Sequence, residues 1–196
     1  MELLLVRHAI AEARDGRRWP DDRDRPLTEH GEARMRAAAK GLGRVVTDVD
    51  LLFSSPLARA WRTAEILHEQ IGWPAPAPWS QLEPDRSPAQ TVLGLGPHAN
   101  AGRVVLVGHE PSLSDVASYL LVGSGRRDLD IEMKKGGVAC LGVDGVPGPG
   151  TAWLRWLATP KILRSMGKAA RGSEPARPPS PGGPVRLPAA RPGTSP

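Results

Sequence analysis

The sequence predicts an α/β fold, a three-layer sandwich in which helices cover both faces of a mostly parallel central sheet with an antiparallel hairpin at one edge. Short apolar runs typical of buried strands occur at residues 3–6, 51–54 and 104–107. Segments that carry helix caps lie between them. Two later apolar runs joined by the turn-rich stretch GVPGPG predict the hairpin. This order of strands and helices favours a parallel sheet covered by helices.

The first half of the chain alternates strands with capped helices. A polar loop rich in Arg and Asp (residues 10–27) follows the first strand. Thr28 is a favourable N-cap for a helix that runs to about Gly43. After the second strand, Ser55 followed by Pro56 is typical of a cap with proline at the first helical position, and predicts a second helix.

The second half continues the alternation. Gly72 ends the second helix, and residues 73–86, which contain four prolines, predict an extended loop. Ser87 and Pro88 repeat the cap-plus-proline pattern before a short helix. The third strand leads through a turn into a helix that begins in GHEPSLS. We expect the hairpin strands at residues 138–143 and 152–157, followed by a basic helix capped at Thr159.

The 196 residues are enough for one compact domain, which we place at residues 1–171. Residues 172–196 hold eight prolines and four glycines and have almost nothing to bury, so we expect a disordered tail that the chemistry does not need. The net charge of +5 belongs to the C-terminal segment: residues 161–196 carry seven Lys/Arg and one acid. This basic segment is able to contact an acidic partner. Nucleic acid is disfavoured as that partner, because residues 172–196 have no aromatic side chains for stacking.

Composition also bounds the location of the protein. The single cysteine, Cys140, has no partner for an internal disulfide, so a reducing cytoplasm is expected. No apolar stretch approaches the ~20 residues needed to cross a bilayer, so no membrane partner is expected. The N-terminal stretch MELLLVRHA lacks the basic start of a signal peptide.

Basic side chains follow the ends of the predicted strands. The first strand ends in Arg7 and His8, the third is followed by His109, and Arg59 lies in the first turns of the helix after the second strand. Ligands of open α/β sheets bind beyond the carboxyl ends of the strands. Guanidinium groups bind phosphoryl oxygens in pairs, and imidazole can attack phosphorus. These four residues therefore predict a phosphate site, and because the sequence has no zinc-ligand cluster, no metal is expected.

The motifs that carry these residues resemble those of the histidine phosphatase superfamily. They are RH at the end of the first strand, RPLT before the first helix, SSPLARAWRTAEIL after the second strand, and VLVGHEPSLS across the third. The short RHA loop and the compact length look most like the SixA group of phosphohistidine phosphatases. The resemblance covers about residues 1–170. It implies that His8 is the nucleophile, that Arg7, Arg59 and His109 hold the phosphoryl group, and that no cofactor is needed.

Two further residues are candidates with open roles. The stretch LEPD offers Glu83 and Asp85 as proton donors to the leaving group; Glu83 is favoured, and exposed loop carboxylates are the alternative. Arg25, in RPLT, reaches the phosphate or only braces its loop. Superfamily members usually have glycine after the nucleophile, whereas this chain has Ala9, which tolerates less backbone strain.

The resemblance implies an enzyme that removes phosphate through a phosphohistidine intermediate, with phosphohistidine on a protein as the expected substrate and signal transduction as its setting. A general phosphatase acting on small phosphomonoesters is the first alternative, and a mutase is weaker. A phosphate-binding docking module without catalysis is a different class of function. The presence of both His8 and His109 beside two arginines disfavours that module, because binding alone needs no nucleophile.

Overall fold

A computed structural model describes residues 1–123 and 128–169 of the chain. The strands are β1 (Glu2–Arg7), β2 (Leu51–Ser54), β3 (Ala77–Pro78), β4 (Arg103–Gly108), β5 (Val138–Val143) and β6 (Ala152–Ala158). The helices are α1 (Glu29–Leu42), α2 (Ala58–Ile71), α3 (Pro88–Gly94), α4 (Ser112–Val122) and α5 (Pro160–Ala169). The predicted tail at residues 172–196, and the domain boundary drawn before it, lie outside the described residues.

The six strands form one sheet in the order β3-β2-β4-β1-β5-β6. The first four of these pair in parallel, and β5 pairs antiparallel with both β1 and β6. The predicted fold, with a mostly parallel sheet and an antiparallel hairpin, is confirmed. In the register of the central strands Arg7 lies opposite Gly108, and Ser54 lies opposite Val107. The carboxyl ends of β1, β2 and β4 therefore meet at one edge of the sheet.

Two apolar clusters separate the layers. On one face of the sheet, α1, α2 and α5 bury residues that include Met35, Ile66 and Leu163. On the other face, α3 and α4 bury residues that include Val92 and Leu120. Successive residues of β1 and β4 enter opposite clusters, as expected of strands covered on both faces. Burial of this apolar surface is the main force holding helices to the sheet.

The structure corrects the prediction around two loops. The helix expected to open at Pro56 begins at Ala58, with Leu57 in the N-cap position, so Ser55 is not its cap. Residues 73–86, expected to be an extended loop, contain the short strand β3 and a 3₁₀ turn at Ser80–Leu82. β3 was missed because proline-rich sequence disfavours strands except at sheet edges, which is where β3 lies.

Arg62 of α2 makes ion pairs with three glutamates. Its guanidinium lies within 3.2 Å of Glu32 on α1 and within 3.0 Å of Glu65 and 2.7 Å of Glu69 on α2. These ion pairs connect α1 to α2 and hold the pKa of Arg62 above its usual value. Within residues 1–123 and 128–169, none of the helices is long and apolar enough to cross a membrane.

Candidate active site

Two histidines stand side by side where β1 and β4 end. The backbone N–H of His8 donates to the carbonyl of Gly108 at 3.0 Å, which continues the strand pairing by one residue. The rings of His8 and His109 then lie with their centroids 5.1 Å apart. Both side chains are buried, with 7% and 2% of each residue exposed. The sheet register thus brings together two residues that are 101 positions apart in sequence.

The ring of His8 is held in one tautomer. Its Nδ1 lies 2.7 Å from the carbonyl oxygen of Ala9, and because a carbonyl only accepts, Nδ1 must carry the proton. Ala9 is fixed in turn, since its N–H donates to Thr63 Oγ1 at 3.0 Å, and Thr63 donates to the Arg59 carbonyl at 2.7 Å. Neutral His8 therefore has its lone pair on Nε2.

The surroundings also keep His8 uncharged. Burial lowers the pKa of His8 to about 3, and the positive charges of Arg59, Arg7 and Lys135 act in the same direction. The hydrogen bond to Ala9 opposes this shift and does not offset it. At neutral pH the imidazole is therefore an unprotonated base despite the cations around it.

His109 is neutral for similar reasons. Burial lowers the pKa of His109 to about 2, assisted by His8 and Arg59. Its Nε2 lies 2.9 Å from Ser55 Oγ, and its buried Nδ1 has no hydrogen-bond partner in the described part of the chain. When Ser55 donates its hydroxyl proton to Nε2, Nδ1 carries the ring proton and is free to donate.

Arg7 and Arg59 are each held by a backbone carbonyl, and each keeps an N–H donor without a partner in the described residues. Arg7 donates through one terminal nitrogen to the carbonyl of Met133 at 2.6 Å, and Arg59 donates to the carbonyl of Asp22 at 2.7 Å. The Nε of each arginine is buried and has no partner among residues 1–123 and 128–169. Such unsatisfied, buried, charged donors favour an anion at this place.

Asp22 connects Arg59 to Arg25 through its carboxylate. Its carboxylate is 3.0 Å from Arg59 and 2.7 Å from Arg25, and the hydrogen bond from Arg25 lowers the pKa of Asp22. Arg25 also donates to the carbonyl of Glu12 at 2.8 Å. Arg25 therefore braces the loop after β1, and it also lines the cavity.

One cavity of about 740 Å³ opens at this edge of the sheet, and His8 and His109 lie on its wall. Its size is typical of a ligand site. The charged residues lining it are Arg7, Arg14, Arg25, Arg59 and Lys135 on the basic side and Glu12, Asp85 and Glu110 on the acidic side. The described residues hold no group of three or more His, Cys, Asp or Glu placed to bind a metal ion.

The structure does not bring Glu83 into this cavity. Its carboxylate lies 2.6 Å from Arg23 in an ion pair, and it does not contribute to the cavity wall, whereas Asp85 does. Asp85 has a positive φ of 64°, a backbone conformation that Asp tolerates better than most residues. Of the two carboxylates in LEPD, Asp85 is thus the one that lines the cavity.

The sequence did not identify several residues at the site, among them Ser55, Asp22 and Lys135. Ser55 was interpreted as a helix cap, although its position just beyond β2 pointed to the same sheet edge. Asp22 and Lys135 lie in polar loops, and nothing in their local sequence shows that these loops fold over the cavity.

The chain is similar in sequence to a known protein family and to several known proteins. Residues 3–83 match the family described as histidine phosphatase superfamily (branch 1). An uncharacterized protein of Picosynechococcus sp. strain PCC 7002 is 35% identical over 140 residues, which cover 70% of this chain and 82% of that protein. A 2,3-bisphosphoglycerate-dependent phosphoglycerate mutase of Methylobacterium radiotolerans is 41% identical over 70 residues, which are 36% of this chain and 33% of the mutase.

Solved structures share the fold over nearly their whole length. The protein histidine phosphatase SixA in complex with tungstate has a TM-score of 0.72 at 22% identity, covering 83% of this chain and 99% of that one. The α-ribazole phosphatase of Shigella flexneri has a TM-score of 0.65 at 17% identity, covering 82% and 97%. A mycobacterial glucosyl-3-phosphoglycerate phosphatase with inorganic phosphate has a TM-score of 0.63 at 18% identity, covering 82% and 99%.

The low pKa of His8 predicts a specific effect of pH on stability. An unfolded histidine titrates near 6.5, so as pH falls from 6 to 4 the unfolded chain binds a proton that native His8, with a pKa of about 3, does not. His8 therefore reduces the free energy of unfolding by about 1.4 kcal/mol per pH unit in this window. Urea denaturation at pH 6 and pH 4 should show that the free energy of unfolding falls by about 2.5 kcal/mol less in His8→Asn than in wild type. Equal losses would contradict the buried, neutral imidazole.

Proposed function

The chain belongs to the histidine phosphatase superfamily, and we propose that it is a metal-independent phosphatase in which Nε2 of His8 takes the phosphoryl group. The hydrogen bond from His8 Nδ1 to the carbonyl of Ala9 carries this proposal, because it leaves the lone pair on Nε2 in the neutral ring. The low pKa keeps that ring neutral over the physiological range. A deprotonated nitrogen beside several cations is suited to attack an anionic phosphoryl group.

The proposed reaction has two steps. In the first, the Nε2 lone pair forms a bond to phosphorus, the bond from phosphorus to the leaving group breaks, and the leaving group takes a proton from solvent or from a carboxyl group of the cavity. In the second, water attacks the same phosphorus and returns one proton to that group or to solvent, the bond to Nε2 breaks, and inorganic phosphate leaves. Neither step requires a metal or a cofactor for its balance of atoms and charge.

Arg7, Arg59 and His109 are proposed to stabilise the charge on the phosphoryl oxygens during both steps. The unpartnered Nε groups of the two arginines and Nδ1 of His109 supply donors that are already buried and fixed. Donors that need no rearrangement stabilise the transition state more than mobile ones. The carboxylate of Asp22 forms an ion pair with Arg59. A phosphoryl group that binds Arg59 therefore competes with this carboxylate.

Phosphohistidine on a protein is the proposed substrate. Between α2 and β4 the chain places only β3, two short 3₁₀ turns and the seven-residue helix α3, and this leaves the cavity accessible to a protein surface. The imidazole that leaves from phosphohistidine also needs less protonation than an alkoxide. This fits a site where Glu83, the expected proton donor, forms an ion pair with Arg23. Such a substrate would place the enzyme in cytoplasmic signal transduction, with catalysis confined to residues 1–171.

A general phosphatase for small phosphomonoesters is the second candidate. Asp85 and Glu110 both line the cavity, and either carboxyl group could protonate an alkoxide leaving group. The similar folds of the α-ribazole and glucosyl-3-phosphoglycerate phosphatases support this candidate as much as that of SixA supports the first. Parallel turnover of phosphohistidine peptides and small phosphomonoesters separates the two.

The first test is to trap the phosphoenzyme by rapid quenching after mixing with radiolabelled phosphohistidine protein or phosphomonoester. We expect label that is stable in base and lost in acid, as phosphoimidazole should be, and its absence from His8→Ala. His68→Ala, at the exposed end of α2, is the control and should retain the label. Unchanged turnover in His8→Ala would overturn the proposed mechanism.

The second test separates two arginines of α2 that are three residues apart. Arg59→Gln should lower kcat/KM about 10²- to 10³-fold, because it removes a fixed donor to the developing charge. Arg62→Gln removes an equal charge from the ion pairs with α1, outside the cavity, and should keep kcat/KM within a few fold at temperatures well below its Tm. Equal losses in both variants would assign the effect of Arg59 to net charge or folding rather than to phosphoryl contact.

A further inference from the structure

A small basic pocket adjoins the catalytic cavity. Three cations line it: Arg34 from α1, Arg164 from α5 and Lys135 from the loop before β5. We call it the basic notch. Its volume is about 50 Å³, which is room for a few water molecules and therefore for one small oxyanion. No carboxylate lines it.

Among the described residues, the three cations of the basic notch have no carboxylate partner, since none of them forms an ion pair there. Within the same residues, the Arg34 side chain makes one hydrogen bond, to the ring nitrogen of His30 at 3.3 Å. One terminal nitrogen of Arg164 is buried with no partner in residues 1–123 and 128–169.

The cations that line the basic notch repel one another. Burial lowers the pKa of Arg164, and the positive charge of Arg34 lowers it further. Arg62, at the interface of α1 and α2, shows the contrasting arrangement, in which one arginine meets three glutamates. Cations held together without acids are stabilised when an anion binds between them.

The basic notch is continuous with the site of the proposed chemistry. Lys135 lines both the notch and the catalytic cavity, and its charge acts on His8. Ala9, the residue after His8, lines the notch as well. The loop after Ala9 is fixed against α1 because Gly31 has no side chain: a Cβ there would lie 2.0 Å from the carbonyl oxygen of Ile10. The notch is therefore a rigid neighbour of the nucleophile.

We propose that the basic notch binds a second anionic group of the substrate, a carboxylate or a phosphate, while the catalytic cavity holds the phosphoryl group that is transferred. This inference rests on the proposed function and narrows its substrate class to phosphorylated molecules with a second negative group near the first. On a protein substrate, that group is an acidic side chain close to the phosphohistidine.

The test compares matched substrates that differ in one negative charge. One pair is two phosphohistidine peptides that differ only by Glu or Gln beside the phosphohistidine. The other pair is 3-phosphoglycerate and glycerol 3-phosphate, which differ by a carboxylate. We expect the charged member of at least one pair to have a kcat/KM about tenfold higher through a lower KM, as one charge-assisted contact would give. A preference in the peptide pair alone assigns the notch to acidic protein segments, and one in the small pair alone assigns it to metabolites.

Variants of the notch complete the test. Arg34→Gln and Arg164→Gln should each bring the ratio of kcat/KM between charged and uncharged members close to one. Arg36→Gln, on the same helix but paired with Glu32 at 2.6 Å outside the notch, should keep the wild-type ratio. Turnover without any preference, or a ratio that Arg34→Gln and Arg164→Gln leave unchanged, overturns this inference alone. No turnover of any of the four substrates overturns the proposed function and this inference with it.

Discussion

His8 and His109 are buried as neutral rings among guanidinium groups, and the chemistry of the site depends on this. Desolvation and the surrounding positive charges act together to disfavour imidazolium, so the pKa values fall to about 3 and about 2. The same cations that disfavour a proton on these rings favour a phosphoryl anion between them. A single electrostatic environment thereby provides both the base and the binding site. The carbonyl of Ala9 then determines which nitrogen of His8 carries the lone pair.

This environment follows from the register of the sheet. Pairing of Arg7 with Gly108 puts the next residue of each strand, His8 and His109, at the same height on the sheet edge. β2 brings Ser55 to the same edge, where its backbone N–H donates to Val107 at 2.9 Å. α2 then returns Arg59 to the cavity and ties Ala9 through Thr63. Slippage of one residue between β1 and β4 would separate the two rings.

The sequence predicted the parts of this arrangement that are local. The apolar runs located β1, β2, β4 and the hairpin, and strand ends identified the four residues that now share one cavity wall. The sequence could not identify contacts that depend on how the loops fold over the sheet edge. Glu83 was favoured as a proton donor, but the loop before α1 brings Arg23 against it. In the same way, Lys135 reaches the cavity wall and Asp22 reaches Arg59 from segments with no periodic pattern to place them.

The position of the phosphoryl group on the His8 ring tests the account most directly. After alkaline quenching of the phosphoenzyme, proteolysis at high pH would release the peptide that contains His8, and ¹H–³¹P NMR would identify the phosphorylated nitrogen. The hydrogen bond from Nδ1 to Ala9 predicts phosphate on Nε2 alone. Phosphate on Nδ1, or on any residue other than His8, would contradict the tautomer that the structure assigns and the mechanism built on it.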